Sequence, residues 1–116
     1  MKVSEIAAAL GLEDLTPEIE GDGEEVAGGY ASDLLSDVLA HAPRGGVVVT
    51  VQVHLNVVAV AVHAGLAAVV FAMGRTPEDA VRGKAVEEGV RLYASKDTAF
   101  DIVGRLYALG LRGRHA

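Results

Sequence analysis

Cysteine and tryptophan are both absent from this chain. Without cysteine there is no disulfide scaffold, no thiol nucleophile and no thiolate-held metal or iron–sulfur centre. Aromatic residues are only 4% of 116, too few for the stacking platforms that grip single-stranded nucleic acid. Positive charge is also scarce: 10 Lys and Arg stand against 16 Asp and Glu, a net charge of -6. A nucleic-acid backbone binder needs clustered cations, so no nucleic-acid partner is expected. The apolar run from Val57 through Ala72 is broken by His63 and Gly65, and it reads as a buried helix followed by a buried strand rather than a membrane span. No secretory leader is visible behind Met1-Lys2-Val3-Ser4-Glu5. These absences describe a cytoplasmic protein with no membrane partner. What is present is apolar surface: 51% of residues and a mean hydropathy of +0.34, enough for a real core.

Residues 1–116 read as one domain, with a loose tail at 112–116. Ser4 is placed to cap a short helix carrying Val3, Ile6, Ala7 and Leu10, stopped by Gly11. Glu18, Glu20, Asp22, Glu24 and Glu25 crowd together around Gly21 and Gly23. That pattern predicts an exposed, solvated turn between short strands near Leu15 and Val26, or else a docking site for a basic partner. Leu34, Leu35, Val38, Leu39 and Ala42 have helical spacing behind Ser32 or Asp33 as cap. Val47–Val51 and Ala67–Ala72 are continuous apolar strands, the mark of a parallel sheet buried on both faces. Between them, Asn56–Ala64 is apolar on almost every side and predicts an enclosed helix. Thr76-Pro77-Glu78-Asp79 is a helix start, and that helix runs to about Glu88. A short strand over Val90–Ala94 precedes a last helix from about Asp97, with Phe100, Val103, Leu106 and Tyr107 along one side. Strand–helix units repeat about every twenty residues. The fold class is therefore α/β, a three-layer sandwich with a mainly parallel central sheet built from successive strand–helix units.

In such sheets ligands sit beyond the carboxyl ends of the strands. Four segments fall there: Gly28–Asp33, Gln52–Asn56, Gly74–Thr76 and Ser95–Thr98. Thr50, Gln52, His54 and Asn56 alternate with apolar residues, which places four polar groups on one side of extended backbone. Either they satisfy neighbouring backbone groups, with Asn56 capping a helix, or they form a polar ridge that lines a ligand or subunit contact with Ser32 and Asp33. Arg75 and Lys96 each follow a strand and precede a helix. With Gly74, Thr76, Ser95 and Thr98 they are candidates for an anion site, because helix starts offer free N–H groups. A P-loop is missing: Gly83-Lys84 is followed by Ala85. No G-x-G-x-x-G, G-x-S-x-G or H-E-x-x-H string occurs, and His54 and His63 are nine apart. No catalytic residue, metal site or cofactor is assigned. An acid–base pair of Asp33 and His54 requires the two to lie within hydrogen-bond reach.

Gly28-Gly29-Tyr30-Ala31-Ser32-Asp33-Leu34-Leu35-Ser36-Asp37 and Thr50-x-Gln52-x-His54-x-Asn56-Val57-Val58-Ala59-Val60-Ala61 resemble the DRTGG domain family. So do Gly74-Arg75-Thr76-Pro77-Glu78, Ala85-Val86-Glu87-Glu88-Gly89 and Gly104-Arg105-Leu106-Tyr107. The resemblance runs from about Val3 to Leu111, although the literal Asp-Arg-Thr-Gly-Gly string is absent. It implies a regulatory domain rather than an enzyme, related to modules inserted in CBS-containing pyrophosphatases and found in phosphotransacetylases. It also implies kinship with the N-terminal domain of HPr kinase/phosphorylase, whose kinase activity belongs to a separate P-loop domain. Relatives beside iron-only hydrogenase genes suggest an accessory role. The implied mode of action is homodimerisation with binding of a protein partner or small ligand; the alternative is a sensor of a nucleotide or other phosphorylated metabolite.

Overall fold

The computed structural model describes residues 1–113. The elements in chain order are α1 (Val3–Leu10), β1 (Glu13–Asp14), β2 (Gly28–Ala31), α2 (Leu35–His41), β3 (Gly46–Thr50), α3 (Asn56–Ala64), β4 (Ala68–Phe71), α4 (Asp79–Glu88), β5 (Leu92–Ala94) and α5 (Ala99–Ala108). Every residue of β3 and β4 is buried, so both faces of these strands must be covered by helices. Val47, Val49, Ala68, Val70 and Tyr93 pack toward α1 and α5, against Val3, Ile6, Leu10, Ile102 and Leu106. The alternating Val69, Phe71 and Leu92 pack toward Val57, Val58, Ala61, Val81 and Ala85 of α3 and α4. Leu35 of α2 joins that second cluster. The three-layer sandwich is the observed fold.

The sheet order is β1-β5-β4-β3-β2, with β2 to β5 parallel and β1 antiparallel to β5. Each parallel connection therefore steps one strand over in the same direction, and α2, α3 and α4 share one face. No reversal of order occurs among the parallel strands, so the sheet lacks the crevice that doubly wound folds open at such a point. All four loops that follow β2 to β5 instead line one continuous carboxyl rim.

Several expected details shift. Ser4 lies inside α1, whose N-cap is Lys2, and its hydroxyl donates to Asp22 Oδ1 at 3.0 Å. The Glu5 carboxylate accepts the Lys2 N–H at 2.8 Å, and Gly11 ends the helix at φ 63°. Gly28–Ala31, expected in a rim loop, is itself a strand, and Gly28 lets it lie close to Pro43 and Arg112. Helix α3 is not enclosed. Ala59, Val62 and His63 face outward, and with Leu55, Ala80, Lys84 and Glu88 they border a groove of about 580 Å³. The layer is one helix thick, so a helix apolar all round must leave one side uncovered. No helix of the described residues is long and apolar enough to cross a membrane.

The acidic segment is a structural strap at the amino end of the sheet. The Asp22 and Glu24 carbonyls accept the Ser4 and Val3 N–H groups at 2.9 and 3.2 Å, occupying donors at the start of α1. Arg82 pairs with Glu18 at 3.0 Å, and Arg91 donates to the Glu20 and Gly21 carbonyls. Thr16, almost wholly buried, accepts the Leu92 N–H through Oγ1 at 3.2 Å and so extends the β1–β5 pairing with a side chain. Thr16→Val keeps the shape and strands that buried N–H, at a cost of about 1–3 kcal/mol. Thermal unfolding should show Tm lowered by roughly 5 °C or more, whereas Thr16→Ser should stay close to the parent.

Candidate functional site

Polar side chains at the rim are spent largely on the backbone. Asp33 Oδ1 accepts from the Thr50 hydroxyl at 2.9 Å and from the Val51 N–H at 2.8 Å, which ties the end of β2 to the end of β3. A relay follows, each side chain serving the N–H two residues on. Thr50 Oγ1 accepts from Gln52 N–H at 3.0 Å, Gln52 Oε1 from His54 N–H at 3.1 Å, and His54 Nδ1 from Asn56 N–H at 3.0 Å. The alternation seen in the sequence is thus the spacing of successive side-chain-capped turns. Because an N–H can only donate, His54 Nδ1 is the acceptor in the last of these bonds. Ser32 serves its own loop by accepting the Leu34 N–H at 3.2 Å. Neither Ser32 nor Asp33 caps α2, whose N-cap is Leu34, and Asn56 is the first residue of α3 rather than its cap. Asp33 and His54 share no hydrogen bond, so the acid–base pair is not assembled.

The candidate anion residues come together only in part. The Met73 and Gly74 N–H groups donate to the Asp97 and Ser95 carbonyls, both at 2.8 Å, and lash the two loops together. Gly74, Thr76, Ser95 and Lys96 line a hollow of about 340 Å³; Arg75 and Thr98 do not line it. Thr98 caps α5 by accepting the Asp101 N–H at 3.2 Å, and Ser95 Oγ accepts the Asp97 N–H at 3.1 Å. Thr76 lies outside α4, whose N-cap is Glu78. Arg105, not among the candidate anion residues read from the sequence, also lines the hollow. It pairs with Asp97 at 2.9 Å and donates to the Leu10 and Ala9 carbonyls. Glu13 adds a carboxylate there. The hollow therefore mixes both signs of charge.

The rim's most distinctive feature is apolar. Leu34 after β2, Leu55 after β3, Met73 after β4 and Phe100 after β5 are 64%, 49%, 59% and 87% exposed. Met73 is the one non-glycine residue among those described with positive φ, at 62°, a conformation that costs an L-residue about 1–2 kcal/mol. Phe100 belongs to a stripe with Val103 and Tyr107 that faces out, while Ala99, Ile102 and Leu106 form the stripe that packs inward. Both stripes obey the helical period, so periodicity alone could not choose between them. Beside the rim, the Tyr30 hydroxyl donates to Asp37 Oδ2 at 2.7 Å, and His41 Nδ1 meets Asp37 Oδ1 at 3.0 Å.

No family model and no curated protein matches this chain. Its fold is similar to that of a solved structure, the CBS and DRTGG domains of the regulatory region of Clostridium perfringens pyrophosphatase, complexed with its activator diadenosine tetraphosphate. The TM-score is 0.66 at 12% identity, covering 90% of this chain and 45% of that one. The present chain thus spans less than half the length of that neighbour, and the likeness is one of fold.

The Tyr30 hydroxyl is the largest influence holding the Asp37 carboxyl below the ordinary carboxylate range, with Ser32 and His41 adding to it. The same bond raises the Tyr30 phenol. The Asp37 contribution to stability is present above the unfolded carboxylate value of about 4 and is lost as pH falls through the lowered folded value. The Tyr30 contribution is present below about 10 and is lost as pH rises through its raised value. Tyr30→Phe should move the Asp37 carboxyl titration, followed by NMR, back upward. The Tm gap between variant and parent should narrow as pH drops below about 4.

Proposed function

We propose that this chain is a DRTGG-type regulatory interaction domain, non-enzymatic, that acts by pairing with a second copy through the carboxyl rim. The observation that carries the reading is the set of four exposed apolar side chains, Leu34, Leu55 and Met73 from rim loops and Phe100 from the first turn of α5. A strained backbone at an exposed methionine is retained at a cost to the fold, as is usual where a side chain must be presented to something. The rim is also self-complementary. Strand order runs β2, β3, β4, β5, so an axis of two-fold symmetry through its middle sets Leu34 against the partner's Phe100 and Leu55 against the partner's Met73. The same operation sets Asp33, after β2, against the partner's Lys96, which follows β5. Asp79 and Asp101, nearby, stand in the first turns of α4 and α5, where the helix dipole favours negative charge. Ser32, Thr50, Gln52, His54 and Asn56 shape the loops that present these groups.

A second reading, a sensor of a nucleotide or other phosphorylated metabolite, is favoured by the hollow that joins Gly74, Thr76, Ser95 and Lys96, and by the nucleotide activator of the fold neighbour. The pairing of Arg105 with Asp97, with Glu13 beside them, weighs against it, because the hollow then offers an anion little net positive charge.

Sedimentation velocity decides the first reading. The chain should form a dimer of twice its 12.0 kDa mass. Met73→Glu or Leu55→Asp should weaken the dimer at least tenfold. Met73→Gly, which relieves the backbone, should raise Tm while also weakening association. A chain monomeric at all concentrations, or a dimer indifferent to these changes, would overturn the proposal. A thermal-shift titration with diadenosine tetraphosphate, with Lys96→Ala alongside, tests the second. Stabilisation that Lys96→Ala abolishes supports a sensor, and no stabilisation removes that reading.

A further inference from the structure

Strand β2 is the edge of the sheet, paired to β3 on one side only. In a parallel ladder alternate residues turn their N–H and C=O groups away from the partner, and Gly29 is such a residue. Its N–H donates to the Arg112 carbonyl at 3.0 Å. Beyond α5 the chain therefore turns back and lies along β2, so Arg112 and Gly113, expected in a loose tail, are seated; residues 114–116 lie outside the described residues. Leu111 packs against the core of the α1–α5 face. The Arg112 guanidinium stacks 3.7 Å from the Tyr107 ring centre and donates to the Tyr107 and Leu111 carbonyls, both at 2.9 Å. Gly28 makes room for this strap: a Cβ there would lie 2.8 Å from the Arg112 oxygen. Behind the strap is a hollow of about 290 Å³ whose walls include Tyr30, Val49, Val103, Leu106 and Tyr107.

We propose that the outer edge of β2 and the hollow beside it form a strand-addition site for an extended segment of a partner protein, and that Leu111–Gly113 is its resident occupant. The seated segment defines the chemistry of the partner. An aliphatic side chain packs against the core and walls the hollow, as Leu111 does. The next residue supplies a carbonyl for the Gly29 N–H. The position after it tolerates a side chain, because a Cβ at Gly113 would lie 4.0 Å from the Gly29 oxygen, an ordinary contact. Main-chain pairing of this kind gives affinity, and the side-chain pocket gives specificity. Ala31, the next outward-facing residue of β2, is exposed and extends the edge toward the rim.

The test uses the full chain and a fluorescein-labelled peptide of residues 108–113, Ala-Leu-Gly-Leu-Arg-Gly. Arg112→Ala removes the ring stacking and two carbonyl bonds from an exposed position, which loosens the strap and leaves the core untouched. Hydrogen exchange at the Gly29 amide should rise at least tenfold, and the variant should bind the peptide at least tenfold more tightly than the unmodified chain. Adding Gly29→Pro, which deletes the outward N–H on an edge strand where proline is tolerated, should abolish peptide binding. Unchanged Gly29 exchange in Arg112→Ala, or peptide binding that Gly29→Pro does not affect, would overturn the proposal. Met73→Glu separates this site from the rim, since it should break the dimer and leave peptide binding intact.

Discussion

Two adjacent strands with no polar face set the plan of this protein. Val47, Val48 and Val49 of β3 and Val69, Val70 and Phe71 of β4 are all buried, so water must be kept from both sides of the sheet. Helices α1 and α5 cover one face and α2, α3 and α4 the other. With three successive helices on a single face, the strand order cannot reverse, and every loop that follows a parallel strand arrives at the same edge. The carboxyl rim is thus a consequence of how the valines are covered, before any rim residue is considered.

At that rim the backbone leaves the sheet and its donors need partners. Asp33, Thr50, Gln52 and His54 provide them in sequence, and Ser95 and Thr98 do so for the last loop. Once these polar side chains are turned inward on the backbone, Leu34, Leu55, Met73 and Phe100 are left exposed beside the cations Arg75 and Lys96. Small polar residues build the loops, and large apolar residues face solvent among the charges. This reverses the usual division of labour at a ligand site and is the physical basis for reading the rim as a contact surface.

The strands and layers were legible because continuous Val-rich runs have one cheap solution, a parallel sheet between helices. The glycine stops at Gly11, Gly65 and Gly89 were legible for a similar reason: each takes a positive φ that other residues resist. Helix starts were less so. Ser4, Ser32, Asn56 and Thr76 all have capping chemistry, yet the caps fall on Lys2, Leu34, Leu55 and Glu78; the Ser4 hydroxyl is claimed by Asp22 and the Ser32 hydroxyl by the Leu34 N–H of its own loop. The choice between the two stripes of α5, and the role of Arg105 in joining α1 to the β5–α5 loop, depend on contacts far apart in sequence. Gly28-Gly29 read as loop beyond a strand near Val26, but close approach of the Arg112 carbonyl to this edge makes glycine a requirement at Gly28.

The chain has two methionines, Met1 and Met73, and they stand at opposite ends of the sheet. Methyl-labelled methionine therefore gives one signal from the rim and one from the strap at the amino end, where the Met1 carbonyl accepts the Val26 N–H. The account predicts that raising the protein concentration shifts or broadens the Met73 methyl signal in step with dimer formation while the Met1 signal stays fixed. A dimer that forms with the Met73 signal unmoved would contradict it.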